Sequence, residues 1–192
     1  MSEVFKVEQP KKEVEAKNID PKQKKRVLQL WDEDQIEVKK LILEDMDEVL
    51  VVLKKCAFEV TQKEVLGIIA FDLSFGCYVN RMLIGVGLAW PAYYNSDTKK
   101  IAEGDSNSIY FEDPAVILAY EGRGVRRILL REREKHGKER SFQYALSFVS
   151  EDTPKDVSSY IKEGASQLEK LYLSEGYSFF KTKEGLLAVK IL

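Results

Sequence analysis

From about residue 27 onward, apolar residues fall into short blocks whose period alternates between that of a strand and that of a helix. Val27, Leu28, Leu30 and Trp31 lead through Asp32-Glu33-Asp34 to Ile36, Val38, Leu41 and Leu43, and the second half of this run predicts a strand. Met46, Val49, Leu50, Leu53 and Ala57 then recur at helical spacing, with Glu44 or Asp45 at the helix start. Thr61-Gln62-Lys63-Glu64 has the form of a capping box and predicts a second helix through Val65, Ile68 and Ile69, ending near Gly76. The period then drops to two. Cys77–Val79 and Met82–Trp90 predict two strands around an Asn80-Arg81 turn, the second closed by Pro91. Residues 93–108 read as a polar loop longer than a hairpin needs, the kind of segment where substrate is often met. Beyond it the pattern predicts a strand over Ile109–Leu118, a helix over Arg126–Lys135 stopped at Gly137, and a strand over Phe142–Val149. A helix over Ser158–Ser174 stops before Gly176, and two last strands, Tyr177–Phe180 and Leu186–Ile191, are joined by Lys181–Gly185. No internal repeat interrupts this order. It predicts an α/β or α+β domain with a central mixed, mostly antiparallel sheet of six or seven strands and four helices.

Composition narrows the class. The 192 residues suit one domain, and 44% hydrophobic with 32% charged residues suits a core beneath a well-solvated surface. Residues 1–26 stand apart, with eight basic residues against five acids, few apolar residues, and Pro10 and Pro21. They read as a charged N-terminal tail ahead of a single domain over 27–192. The net charge of -2 argues against a nucleic-acid partner. No apolar run reaches membrane length, and no secretory leader is expected at the charged N-terminus, so a soluble cytoplasmic protein without a membrane partner is expected. Cys56, Cys77 and the single His136 are too few for a disulfide framework or a zinc centre, and no metal is expected. The cysteines read as small apolar fillers and His136 as a helix C-terminal cation or cap. Arg126, Arg127, Arg131 and Arg133, interleaved with Glu132 and Glu134, read as a solvated helix face.

The segment with the most chemistry is strand, then Glu121-Gly122-Arg123-Gly124-Val125, then helix. Two glycines at such a turn let backbone approach a phosphate, and a helix N-terminus aims free N–H groups and its positive dipole end at the anion. Arg123, Arg126 and Arg127 cluster there to meet further phosphate oxygens. A tight turn without a ligand fits the same residues.

Ile109–Leu130 resembles the fourth strand, pyrophosphate loop and third helix of the GNAT superfamily, the acetyl-CoA-dependent N-acetyltransferases. Leu168-Glu-Lys-Leu-Tyr172-Leu-Ser-Glu-Gly176-Tyr177 resembles that family's other signature, and the element order over residues 36–192 is similar. The resemblance implies acetyl-CoA as cosubstrate. Its pantetheine arm would pair with the backbone of Ala115, Val116 and Ile117 between splayed strands, and its pyrophosphate would lie on Gly122, Arg123, Gly124, Val125, Arg126 and Arg127. An amine acceptor (a small molecule, peptide or protein) would enter from the opposite side, over loop 93–108 and the first two helices. Glu112 is the implied base, with Asp113, alternating to the other strand face, the weaker candidate. Tyr172 is the implied acid for the leaving thiolate, and it also fits a core aromatic on a face with Ile161, Ala165 and Leu168. Dimers are frequent in the family, so a homodimer is one expectation.

Three positions depart from the family pattern. Glu121 stands where Arg or Gln is usual, Arg126 where a small residue is usual, and Ala165 where Asn is frequent. An acid beside a pyrophosphate is unfavourable unless it turns away, and Arg126 either crowds the cofactor or pairs with its phosphate. The alternative these departures leave open is a catalytically inactive GNAT-like binding or regulatory module.

Overall fold

Strand alternation in the middle of this chain builds two sheets that share one long helix. The computed structural model describes residues 36–151 and 154–192, and Ile36–Leu192 form one compact unit. The tail predicted at 1–26 and the domain start at 27 lie outside the described residues.

The first sheet is antiparallel, in the order β1 (Glu37–Lys40), β2 (Phe75–Val79), β3 (Met82–Gly87) and β7 (Ala115–Val116). Helices α1 (Met46–Lys55) and α2 (Gln62–Ile69) connect β1 to β2 and cover one of its faces. The predicted capping box is present: the Thr61 hydroxyl accepts from the Glu64 N–H, and the Glu64 carboxylate accepts from the Thr61 N–H at 2.8 Å. The second sheet runs β5 (Lys100–Ala102), β4 (Ala89–Asn95), β6 (Ser108–Phe111), β8 (Tyr144–Ser150), β10 (Leu186–Ile191), β9 (Ser178–Lys181). Only the β6–β8 pair is parallel, with Tyr110 opposite Leu146. Helix α3 (Val125–Glu139) packs Val125 and Leu129 on the second face of the first sheet and Leu130 on the second sheet, so it spans both. Helices α4 (Val157–Gly164) and α5 (Gln167–Ser174) join it on that side. The other face of the second sheet carries Tyr94, Leu146, Leu187 and Val189, with Tyr110, Tyr144, Phe148 and Phe180 against them, all drawn from strands.

Several elements differ from the pattern's prediction, each for a local reason. Helix α2 ends at Ile69, ahead of Asp72 at φ +62, and Gly76 lies inside β2. Pro91 does not close a strand but sits within β4. The Glu112 N–H bonds the Leu88 carbonyl, so by alternation the nitrogen of Pro91 faces away from β6, where no partner strand begins until Tyr93. Segment 93–108 is not a long loop but mostly a hairpin, because the Asn95 side chain accepts from the N–H groups of Asp97 and Thr98 and turns β4 into β5. Gly137 does not stop α3. It lies inside the helix, where a Cβ would stand 3.0 Å from both Ile109 and Leu192. The helix predicted over Ser158–Ser174 breaks at Ala165, where Ser166 caps α5. The strand predicted over Ile109–Leu118 breaks at Glu112-Asp113-Pro114, and its two halves join different sheets.

That break, and a second one at Leu88 between β3 and β4, are held by a single side chain. Arg133 of α3, read from the sequence as part of a solvated face, is fully buried. Its Nη1 donates to the Leu88 carbonyl at 2.8 Å and to the Glu112 carbonyl at 2.9 Å, its Nε to the Leu129 carbonyl, and its guanidinium lies 4.5 Å from the Phe111 ring centroid. Replacing it with Met keeps most of the volume but leaves the Glu112 carbonyl without a donor and the Leu88 carbonyl with only the Glu112 N–H. Arg133→Met is expected to lower the unfolding free energy by about 3 kcal/mol, read as a shift of the urea midpoint at unchanged slope.

Candidate functional site

Parallel pairing of β6 with β8 lasts three residues and then stops, because the chain after Phe111 crosses to the first sheet while β8 continues beside β10. The result is a V between β7 and β8. The Ile117 N–H bonds the Ile84 carbonyl at 2.9 Å, so Ala115 and Ile117 turn their backbone toward β3. Val116 therefore turns its N–H and C=O to the open edge. Of the three residues singled out for backbone pairing, this alternation leaves only Val116 facing the V. On the opposite wall the Phe148 N–H, released by the splay, is taken by the Tyr110 hydroxyl at 3.4 Å.

Below the V lies a cavity of about 200 Å³ lined by Val116, Tyr120, Glu121, Gly122, Gly124, Val125, Arg126, Arg127 and Leu171. The turn entering α3 builds its wall. Gly122 and Gly124 sit at φ +76 and +80, conformations that L side chains rarely adopt, and a Cβ on either would meet nothing within 4 Å. Gly124 caps α3, so the N–H groups of Val125, Arg126 and Arg127 begin the helix without intrahelical acceptors. The two departures from the family loop meet each other: Arg126 donates to Glu121 at 2.9 Å, pairing the acid with a cation on the exposed side of the cavity wall. Arg127 is held from behind by Glu175 at 2.9 Å and Ser174, Arg131 grips the same Glu175, and Arg123 lies 4.8 Å over the Tyr120 ring. Those arginines hold the Glu175 carboxyl below the usual range. Cys56, at the end of α1, is close enough to feel both Arg126 and Glu121, and burial raises its thiol.

The two adjacent carboxylates sit at the strand break. Glu112 and Asp113 are both half-buried, and alternation sends them to opposite faces. Asp113 Oδ1 is buried with no hydrogen-bond partner, and desolvation, with the charge of Glu112 adding, pushes its carboxyl up to about 6 against the opposing pull of Arg126 and Arg133. Tyr172 is completely buried on α5, next to the cavity-lining Leu171 and edge-on to Tyr177 at 4.8 Å. Its hydroxyl lies beside that of Ser147 without a well-formed bond, and burial pushes it up to about 12. Ala165, whose place the family often gives to Asn, is buried at the hinge between α4 and α5.

Sequence reasoning passed over Arg133. Its signal was the stripe Val125, Leu129, Arg133, Gly137, in which one polar residue stands at a position the helix turns inward. His136 behaves as expected of a helix-end residue, meeting Glu139 and the Asp72 carbonyl. Cys77 is a buried filler. No group of residues able to hold a metal ion occurs among the described residues, and no helix among them is long and apolar enough to cross a membrane.

No protein-family model and no curated protein sequence matches the chain. Solved structures do. The loading GNATL domain of CurA from Lyngbya majuscula superposes with a TM-score of 0.64 at 12% identity, over 82% of this chain and 98% of that one. The GNAT domain of S. lividans PAT gives 0.59 at 13% identity, over 82% and 90%. The PaiA N-acetyltransferase from Thermoplasma acidophilum, in complex with coenzyme A, gives 0.56 at 16% identity, over 82% and 99%. A mixed sheet opened between β7 and β8, a glycine turn at the start of α3, and agreement along nearly all of these domains lead to one conclusion: this chain has the GNAT fold.

Proposed function

We propose that the protein is an N-acetyltransferase that moves an acetyl group from acetyl-CoA to a primary amine by direct attack in a ternary complex. The observation that carries this reading is the glycine turn. It provides an empty cradle in front of free helix N–H groups, at the foot of a V with one backbone donor and acceptor facing inward. That is what a pyrophosphate followed by an amide-bearing arm requires. The PaiA enzyme, complexed with coenzyme A on the same fold, supports the choice of ligand. The Glu121–Arg126 pair supports it as well, since the acid is neutralised within the protein and does not face phosphate as a bare charge.

In this reading Gly122, Arg123, Gly124, Val125, Arg126 and Arg127 hold the pyrophosphate, and the strand Ala115, Val116, Ile117 holds the pantetheine arm through Val116. An incoming ammonium has no lone pair, so a proton must leave before attack on the thioester. Glu112, turned to the face away from α3, is the proposed acceptor of that proton. Asp113 is the second reading, favoured by its buried, unpartnered oxygen and a carboxyl poised near neutrality. Tyr172, kept protonated by burial at neutral pH, is the proposed donor to the leaving thiolate.

Calorimetric titration with acetyl-CoA tests the cofactor site. Micromolar affinity is expected, weakened at least tenfold in Gly124→Val, whose side chain would enter the cradle; absence of binding to the parent protein at millimolar ligand would leave the inactive-module reading. Tyr172→Phe is expected to lower kcat at least tenfold with the acetyl-CoA Kd within twofold of the parent. Equal rates would return Tyr172 to a purely packing role.

Asp113 also makes a stability prediction. Its folded value of about 6 lies above the ordinary carboxylate value of 3.8, so the folded state binds the proton more tightly. Its contribution is most favourable below pH about 4, declines as pH rises through 4 to 6, and is least favourable above that window. Asp113→Asn removes the charge and is expected to raise the unfolding free energy by about 2 kcal/mol at pH 8 and by nearly nothing at pH 4, measured by urea unfolding at the two pH values.

A further inference from the structure

The face of the second sheet that no helix covers among the described residues has its most chemical character at the point where β6 and β8 part. Trp90 stands opposite Tyr110 across β4 and β6, their rings 4.6 Å apart. Tyr110 reaches the Phe148 ring at 6.3 Å, and its hydroxyl caps the Phe148 N–H on the far wall of the V. All three rings are half-buried, leaving part of each to solvent. Glu112 follows Tyr110 by two residues on a chain still in register with β4 through the Leu88 carbonyl, so its carboxylate shares this face. Its charge is felt at the Tyr110 phenol, which burial already raises. Asp113, Arg126 and Arg133 belong to the opposite face or the interior. On this side Lys99 lies 5.4 Å over the Phe180 ring on the edge strand β9. Three electron-rich rings beside one carboxylate suit a positive charge carried on an apolar body.

We infer that this aromatic corner (Trp90, Tyr110 and Phe148, with Glu112 at its rim) is the acceptor subsite, and that it selects primary ammonium groups on an aromatic or aliphatic skeleton with no carboxylate on the carbon bearing the nitrogen. The inference rests on the acetyltransferase reading above and adds the substrate class. An α-carboxylate would be held against Glu112 and would cancel the charge that the rings attract. A plain alkyl- or arylalkyl-ammonium meets the rings with its body and Glu112 with its nitrogen. The step then balances simply. The ammonium gives one proton to a carboxylate, and the neutral nitrogen attacks the thioester carbonyl. The new C–N bond forms as the C–S bond breaks, the attacking nitrogen gives up a second proton to become the neutral amide, and the sulfur leaves as a thiolate that takes up a proton to become the CoA thiol, so that one proton is released per turnover.

The test pairs phenethylamine with phenylalanine, which differ only by the α-carboxylate, as acceptors with acetyl-CoA, following CoA release with a thiol reagent. The kcat/KM for phenethylamine is expected to exceed that for phenylalanine at least tenfold. Trp90→Ala is expected to raise the phenethylamine KM about tenfold with kcat within threefold, and Trp90→Phe to restore most of the loss. A readout independent of turnover uses Trp31→Phe, which leaves Trp90 as the single indole of a chain with two. In the presence of CoA its emission is expected to change with phenethylamine and not with phenylalanine at equal concentration. Acetyl-CoA binding without discrimination between the two acceptors, or an unchanged KM in Trp90→Ala, would overturn the subsite and leave the acetyltransferase reading standing. Failure to bind acetyl-CoA at all would overturn both.

Discussion

A guanidinium in the interior decides the shape of this protein. Arg133 donates to two carbonyls, that of Leu88 at the bend between β3 and β4, which also accepts the Glu112 N–H, and that of Glu112 at the break between β6 and β7. One side chain thus ties the two bends together at the same place. A buried cation is costly unless hydrogen bonds and ring faces replace its water, and here three carbonyl bonds to Nε and Nη1 and the face of Phe111 replace part of it, while Nη2 is buried without a hydrogen bond. Because Arg133 belongs to α3, the same bonds fix that helix against the parting of the strands. The N-terminus of α3, two turns earlier, is thereby aimed at the foot of the V.

Electrostatics around that N-terminus follows a similar economy. Each arginine in the first two turns of α3 has a local partner: Arg126 on Glu121, Arg127 and Arg131 on Glu175 at the end of α5. The Glu175 pairs tie the helix that carries the loop to the helix that carries Tyr172. The positive end of the helix keeps its free N–H groups while the side chains around it are largely balanced.

Much of this arrangement was legible in the order of the residues. Thr61 and Glu64 formed the capping box their spacing promised, and Gly122 and Gly124 occupied the left-handed conformations that a glycine turn before a helix suggests. What was not legible depended on contacts distant in the chain. The nitrogen of Pro91 is harmless only because the strand on that side of β4 does not begin until Tyr93, which no local pattern states. Gly137 looked like a stop because nothing nearby in sequence reveals Ile109 and Leu192 pressing on it. Arg133 looked solvated because its neighbours are charged, and its carbonyl acceptors lie 45 and 21 residues away. Asp113 and Glu112 are adjacent and chemically alike, and only the fold, by placing them on opposite faces of a broken strand, gives them different surroundings.

The ion pair between Glu121 and Arg126 bears on how such a loop diverges over time. Arg126 and Glu121 carry opposite charges 2.9 Å apart, so the two together add no net charge to the turn before α3. Either residue alone would strand a full charge there. The two positions are therefore expected to be coupled, each compensating the charge of the other. A turn paired in this way can keep its geometry under a different spelling, and the fold is matched in three dimensions at 12 to 16% identity where no family model matches the sequence.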